Sequence, residues 1–395
     1  MRFALSAVVV AVSLASASLG AMLQVESFAG STKPNSFIVT LRPGVSKALH
    51  LEENPSIAAA VTHADWNASL LNGFAGTFNQ TQLDSLRANS DVLSISENGI
   101  MHAMAAGAVT AQTNAPWGLQ RISQQAAVTG SSTALNFTYH FDSTAGTGVD
   151  IYVVDTGINT AHTDFGGRAT FVAVAQGLPG VDDNGHGTHI AATAIGTRFG
   201  VAKLANAIGI KVLASDGTGT VADIIAGLNF VGQQARSSGR PSIASVALGG
   251  PTSSPLDDAV SSLISAGIHV IVPAGNDNTN AANNSPARVT AAITVGSMNI
   301  GNSRSSFSNT GAVVDIFAPG ENVVSAFRGS STATSTQSGT SMATAHVVGL
   351  VAYFIGLNGN VPPATMATNI RNLGLTGLLG GVPGGTSNDL AYNGM

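Results

Sequence analysis

From about Trp117 onward, short near-continuous apolar runs alternate with longer amphipathic stretches. "GVDIYVVDTG", "AIGIKVLA", "SIASVALGG" and "GIHVIVPAGN" are the runs, each stopping at Gly, Ser or Asp, and "TVADIIAGLNFVGQQAR" and "SPLDDAVSSLISAG" are helical in character. A strand that is apolar on both faces must be covered on both faces, and strands alternating with helices build a mostly parallel sheet with helices on either side. The expected fold class is α/β. In such sheets ligands bind beyond the carboxyl ends of the strands, where Asp155, Gly249 and Asn276 fall. No repeat of 20 to 50 residues is visible, which excludes a solenoid or propeller.

The earlier part of the chain reads differently. "SFIVTLRPG" predicts a strand ending in a Pro-Gly turn, "NQTQLDSLRANS" a short helix and "DVLSISENG" a strand, a small α+β block over about 36–104. The uncharged stretch "AMAAGAVTAQTNAP" follows as a linker with little reason to fold. "MRFALSAVVVAVSLASASLGA" opens with one arginine, an apolar run and the small residues Ala15-Ser16-Ala17, the pattern of a secretory signal. Its apolar run is short for a membrane anchor. Near the other end, "SGTSMATAHVVGL" turns at Gly339-Thr340-Ser341 and continues as a buried helix from Met342. "VVGLVAYFIGL" belongs to that core helix and does not span a bilayer.

Composition narrows the function. Of 395 residues 44% are hydrophobic and 9% charged, with a net charge of −5 and no block of either sign. Disorder needs lower hydrophobicity, and coiled coils and nucleic-acid binding need denser charge. There is no cysteine, so an oxidising compartment supplies no disulfide, and stability must come from core size or bound metal. Acceptors of the N-x-S/T type at Asn67, Asn79, Asn136 and Asn283 are compatible with secretion.

Four segments carry chemistry. "YVVDTGI" ends a strand on Asp155; a turn or cap aspartate is the plain alternative, and a two-aspartate protease would need a second D-T-G, which is absent. "NGHGTHIAAT" sets two histidines three apart without the third ligand or helical spacing that zinc requires. His186, at the turn, can face a cleft while His189 enters the fold. "VIVPAGNDN" offers Asn276 as a turn residue or as an amide donor to an oxyanion. Ser341 is a helix cap or a nucleophile at a helix N-terminus.

In the order Asp, His, Asn, Ser, "VVDTG", "NGHGTH", "PAGN" and "SGTSMATAH" resemble the subtilisin-like serine proteases. "AQTNAPWGLQRIS", "GVAKLANAIGIKVL" and "RSSFSNTGAVVDIFAPG" resemble the proteinase K branch of secreted fungal proteases, over nearly everything from Gln112 to Asn393. The block before it resembles the family's inhibitory propeptide. The resemblance implies a signal at 1–20, a propeptide at 21–109 and a peptidase domain at 110–395, with self-processing around Val109 to Ala111. It implies Ser341 as nucleophile, His186 as base, Asp155 as its orienting acid and Asn276 in the oxyanion hole. Asp216, Gly217, Thr218 and Gly219 would pair with an extended peptide. Ala247, Leu248, Gly249, Gly250, Ala274 and Gly275 would line the pocket before the scissile bond, with no acid among them and an apolar or aromatic preference. One structural calcium would sit on Asp315 with backbone oxygens of Thr290 and Ala292, whereas Leu378 stands where a second site would need an acid.

Three positions depart from the pattern. Ala345 replaces a proline, Ala192 a glycine and Ala247 a serine. The expectation is a secreted, monomeric serine endopeptidase of broad specificity, acting on proteins and peptides and inhibited by its own propeptide, with no nucleic-acid or membrane partner. The alternatives are a non-catalytic peptide-binding relative, which the three alanines favour, and a proprotein-processing protease, which lacks an evident acidic pocket.

Overall fold

The computed structural model describes residues 22–28, 32–100, 108–173 and 175–395; the signal read at 1–20 lies outside them. The chain forms two compact units, divided between residues 101 and 102. In the first, five short strands form a sheet in the order Val25–Glu26, Val92–Gly99, Thr32–Leu41, Gly73–Thr77, Val61–His63. The helix Gln80–Ala88 is held at its start by a reciprocal Asn79–Gln82 capping box. It turns Leu83 and Leu86 toward Val39, Phe74, Val92 and Ile95, the core of this unit.

The second unit is built on a nine-stranded sheet. Its strands are β1 (Asp150–Asp155), β2 (Ala169–Ala173), β3 (Asn206–Lys211), β4 (Ser242–Ser245), β5 (His269–Pro273), β6 (Ile293–Met298), β7 (Ile316–Pro319), β8 (Leu375–Thr376) and β9 (Asp389–Leu390). They lie in the order β8-β9-β7-β6-β5-β4-β1-β3-β2, and every pair except β8–β9 is parallel. The helices that matter are α1 (His186–Ile195), α2 (Val221–Ser238), α3 (Ser254–Ser265), α4 (Thr340–Asn358) and α5 (Pro363–Leu373).

The two-residue period of a strand explains the layers. Along β1, Ile151 and Val153 enter the core shared with α1 and α4, while Tyr152 and Val154 enter the core shared with α2 and α3. Each fully withdrawn large aliphatic chain contributes about 1.5–3 kcal/mol, and these two cores hold together a unit that has no disulfide. The chain leaves β1 toward β2 and β3 on one side and later fills β4 to β7 on the other. That reversal opens a crevice at the carboxyl end of β1.

Two expectations need correction. The segment Val109–Ala115, read as unstructured linker, is a strand paired antiparallel with Phe137–Asp142, from Val109 opposite Asp142 to Ala115 opposite Phe137. Its own side chains are mostly exposed, so its apolar pattern is silent; the partner strand supplies the buried Phe137 and Tyr139. The core helix read from Met342 also begins earlier, running Thr340–Asn358 and taking in two residues of the expected turn. It is apolar enough to cross a membrane by length and composition, yet Met342 through Ile355 are all buried within the unit.

Candidate active site

Asp155 is the last residue of β1 and fully buried. His186 is the first residue of α1, and its Nδ1 lies 2.8 Å from Asp155 Oδ1 and 2.9 Å from Oδ2. The flanking glycines make this approach possible. Gly185 has φ +104°, and a Cβ there would meet the Phe327 ring at 2.4 Å; a Cβ on Gly187 would stand 2.2 Å from Gly157 O. Burial disfavours the charged ring, but the charge and hydrogen bond of Asp155 and the charge of Asp182 outweigh it, so His186 titrates above its ordinary value. Its side chain keeps 26% exposure, enough to meet a substrate. His189, by contrast, is buried and its Nε2 bonds Val323 O at 3.0 Å, a core histidine as expected.

Ser341 is the second residue of α4. Gly339 is the cap residue and makes no side-chain cap bond, so the serine does not cap its helix. Its hydroxyl donates to Ala247 O at 2.9 Å. Asn276 stands opposite, three residues past β5. Its Oδ1 accepts from Thr340 N and Thr340 Oγ1, both at 2.9 Å, which fixes the amide with its NH₂ left to donate.

A cavity of about 580 Å³ adjoins Ser341, lined by Leu248, Gly249, Gly250, Gly275 and Asn276. Ala247 and Ala274 are buried and do not reach its surface. Asp277, absent from the residues named on sequence, shares the wall with Asn284; its place directly after Asn276 was the available signal. Asp216 to Gly219 are exposed and do not line this cavity. They form a turn closed by Ala214 N donating to Thr218 O at 2.7 Å, with Gly217 at φ +81°.

The donors expected to hold calcium are arranged as an ion pair. Arg371 Nη1, on α5, reaches Asp315 Oδ1 at 2.6 Å, and Thr294 N donates to Oδ2 at 2.8 Å. Calcium takes six to eight oxygens. Here both carboxylate oxygens are engaged, one by a cation, so the Asp315 carboxylate as placed is committed to protein donors and not to an ion. The three departures are accommodated without displacing these groups: Ala192 and Ala345 are fully buried in the core of α1 and α4, and Ala247 offers only its carbonyl to Ser341.

A buried carboxylate on an imidazole, and a hydroxyl at a helix N-terminus with a fixed amide donor beside a cavity, are the parts that a serine hydrolase with an acid–base pair requires. Comparison narrows this: residues 146–378 match the profile of the subtilase family, and the chain belongs to that family of serine endopeptidases. It is 42% identical over 371 residues to a subtilisin-like protease 2 of Pseudogymnoascus destructans, covering 91% of this chain and 89% of that one. It is 40% identical over 361 residues to a cuticle-degrading protease of Metarhizium anisopliae, with the same coverages of 91% and 89%. The crystal structure of a cold-adapted subtilisin-like serine proteinase matches with a TM-score of 0.64 and 40% identity, over 71% of this chain and 98% of that one.

Proposed function

We propose that the protein is a secreted endopeptidase, made as a self-processed zymogen, that cleaves peptide bonds through an acyl-enzyme. The contact of His186 Nδ1 with both oxygens of Asp155 is the observation that carries this reading. With Nδ1–H directed at the carboxylate, Nε2 is the free base. Rotation of the Ser341 hydroxyl away from Ala247 O lets Nε2 take its proton as Oγ attacks the carbonyl carbon. The oxyanion is met by the Asn276 NH₂ and the helix-start N–H of Ser341. Protonated His186 then donates to the leaving amine, and water repeats the sequence on the ester.

The Leu248–Gly250 and Gly275 walls favour apolar or aromatic residues before the scissile bond. Asp277 supports a second reading, in which a lysine or arginine also enters with its cation at that wall. Processing near Ala111 would fall inside the strand paired with Phe137–Asp142, so the segment would be cut unpaired and would pair afterwards. Mass spectrometry of products from a peptide library, with Ser341→Ala as control, tests the reading. Cleavage after Phe, Tyr and Leu is expected; cleavage confined to Lys and Arg would overturn the apolar preference, and none at all would overturn the enzyme.

A further inference from the structure

Asp182 lies four residues before His186 and is 8% exposed. Its Oδ1 accepts from Thr156 Oγ1 at 2.9 Å, Gly185 N at 2.8 Å and Asn184 N at 3.2 Å. Its Oδ2 accepts from Thr188 N at 3.1 Å and from Thr188 Oγ1. These donors belong to two segments that the reaction must hold in register, the loop leaving Asp155 and the first turn carrying His186.

We propose that Asp182 is a positioning residue of the reaction: its carboxylate fixes the separation between the strand-end acid and the helix-start base, and leaves a second negative charge behind the imidazole. The proposal rests on the roles given above to Asp155, His186 and Ser341.

Two physical needs meet at this carboxylate. α1 begins on a glycine that has no side chain to cap it, and the first N–H groups of a helix need acceptors and favour an anion. Asp182 supplies both from outside the helix. Thr156 is the second link. Its N donates to Asp155 Oδ1 at 2.7 Å, and its Oγ1 donates to Asp182 while accepting from Gly187 N at 2.9 Å. Any shift of α1 against β1 therefore breaks bonds on both sides of one hydroxyl.

Asp155 faces the imidazole from β1, and Asp182 and Asp183 precede it on the loop before α1. Asp183 is matched by Lys211 of β3 at 2.7 Å, and the same Nζ bonds Thr156 O at 2.8 Å. Asp216 lies on the exposed loop after β3, and Arg328 bonds Asn184 O at 2.9 Å. On α1 itself, burial lowers His189 to about 3, so it carries no charge near neutral pH. Asp182 has no ion-pair partner among the described residues, and its charge adds to that of Asp155 in favouring protonated His186.

The test compares the full chain with Asp182→Asn, which keeps the shape and removes the charge, and with Thr156→Val, which removes the hydroxyl and no charge. A serine-reactive fluorophosphonate on the parent comes first. If Ser341 is not labelled, the underlying reading fails and the proposal with it. With Ser341 labelled, Asp182→Asn should lower kcat by about tenfold or more with little change in KM. The acid limb of kcat/KM should move down by about half a pH unit or more. A purely structural aspartate would lower the thermal midpoint and leave that limb where the parent has it, and an unmoved limb overturns the proposal. Should Asp182→Asn fail to fold, Thr156→Val decides: a several-fold loss of kcat supports the proposal, and kcat within about twofold of the parent refutes it.

Discussion

Lowering the pH from 7 to 5 should destabilise the second unit through histidines that never meet water. His189 is fully buried, its Nε2 bonded to Val323 O, and its Nδ1 makes no hydrogen bond among the described residues. His346, on α4, bonds Met342 O through Nδ1 and leaves Nε2 without one. A proton added to either ring would place a charge in the core out of reach of water, a cost that the nearby backbone carbonyls only partly offset. Burial accordingly lowers His189 to about 3 and His346 to about 4. In the unfolded chain both titrate near 6.5, so below that pH the unfolded state binds more protons and stability falls as pH falls.

At pH 5 both folded rings are still neutral, and each has cost about 1.5 units at 1.36 kcal/mol, or about 4 kcal/mol for the pair. His269, also lowered by burial, acts in the same direction. Urea unfolding of a Ser341→Ala chain would measure this without autolysis, read from Trp117, fully buried in the second unit, with Trp66 changed to Phe. The difference between pH 7 and pH 5 should shrink by about 2 kcal/mol in His346→Gln, whatever that change does to stability at pH 7. A parent whose stability is the same at both pH values would show that these rings do not stay neutral in the folded core.

Three other outcomes follow. Asn276→Ala should lower kcat by about 10²–10³ with KM little changed; the magnitude is that known for loss of such a donor in a subtilisin, a relative of this chain, and steady-state kinetics checks it. Chelation by EDTA should leave the thermal midpoint unchanged, since Asp315 is paired with Arg371, and Arg371→Gln should lower it by leaving a carboxylate that burial already disfavours. Gly187→Ala, whose Cβ would press on Gly157 O, should cost about 1–3 kcal/mol or more and reduce the labelled fraction of Ser341.

What could be read along the chain was local. β1 is legible because both faces are buried, and its stop at Asp155 because the apolar run ends there. α2 and α3 are legible from their periodicity, and His186 from the glycines that bracket it. Pairings set by distant segments were not legible. The exposed strand Val109–Ala115 owes its order to residues between 22 and 33 positions further on, and Asp315 meets an arginine 56 positions away. Nothing local separates Asp182 from Asp183, yet one is buried between two segments and the other, partly exposed, pairs with the buried Lys211. The turn at Asp216 to Gly219 was not legible because a glycine-rich stretch permits an extended edge and a tight turn alike.

On the proposed function, Ser341 is made nucleophilic by His186. The most direct measurement is the rate of fluorophosphonate labelling against pH, with the modified peptide mapped by mass spectrometry in the parent and in His186→Ala. One labelled residue, Ser341, is expected, with a rate that rises through a pKa above the ordinary 6.5 of histidine and is lost in the variant. A folded parent left unlabelled at Ser341, or labelled as fast without His186 as with it, would contradict that expectation.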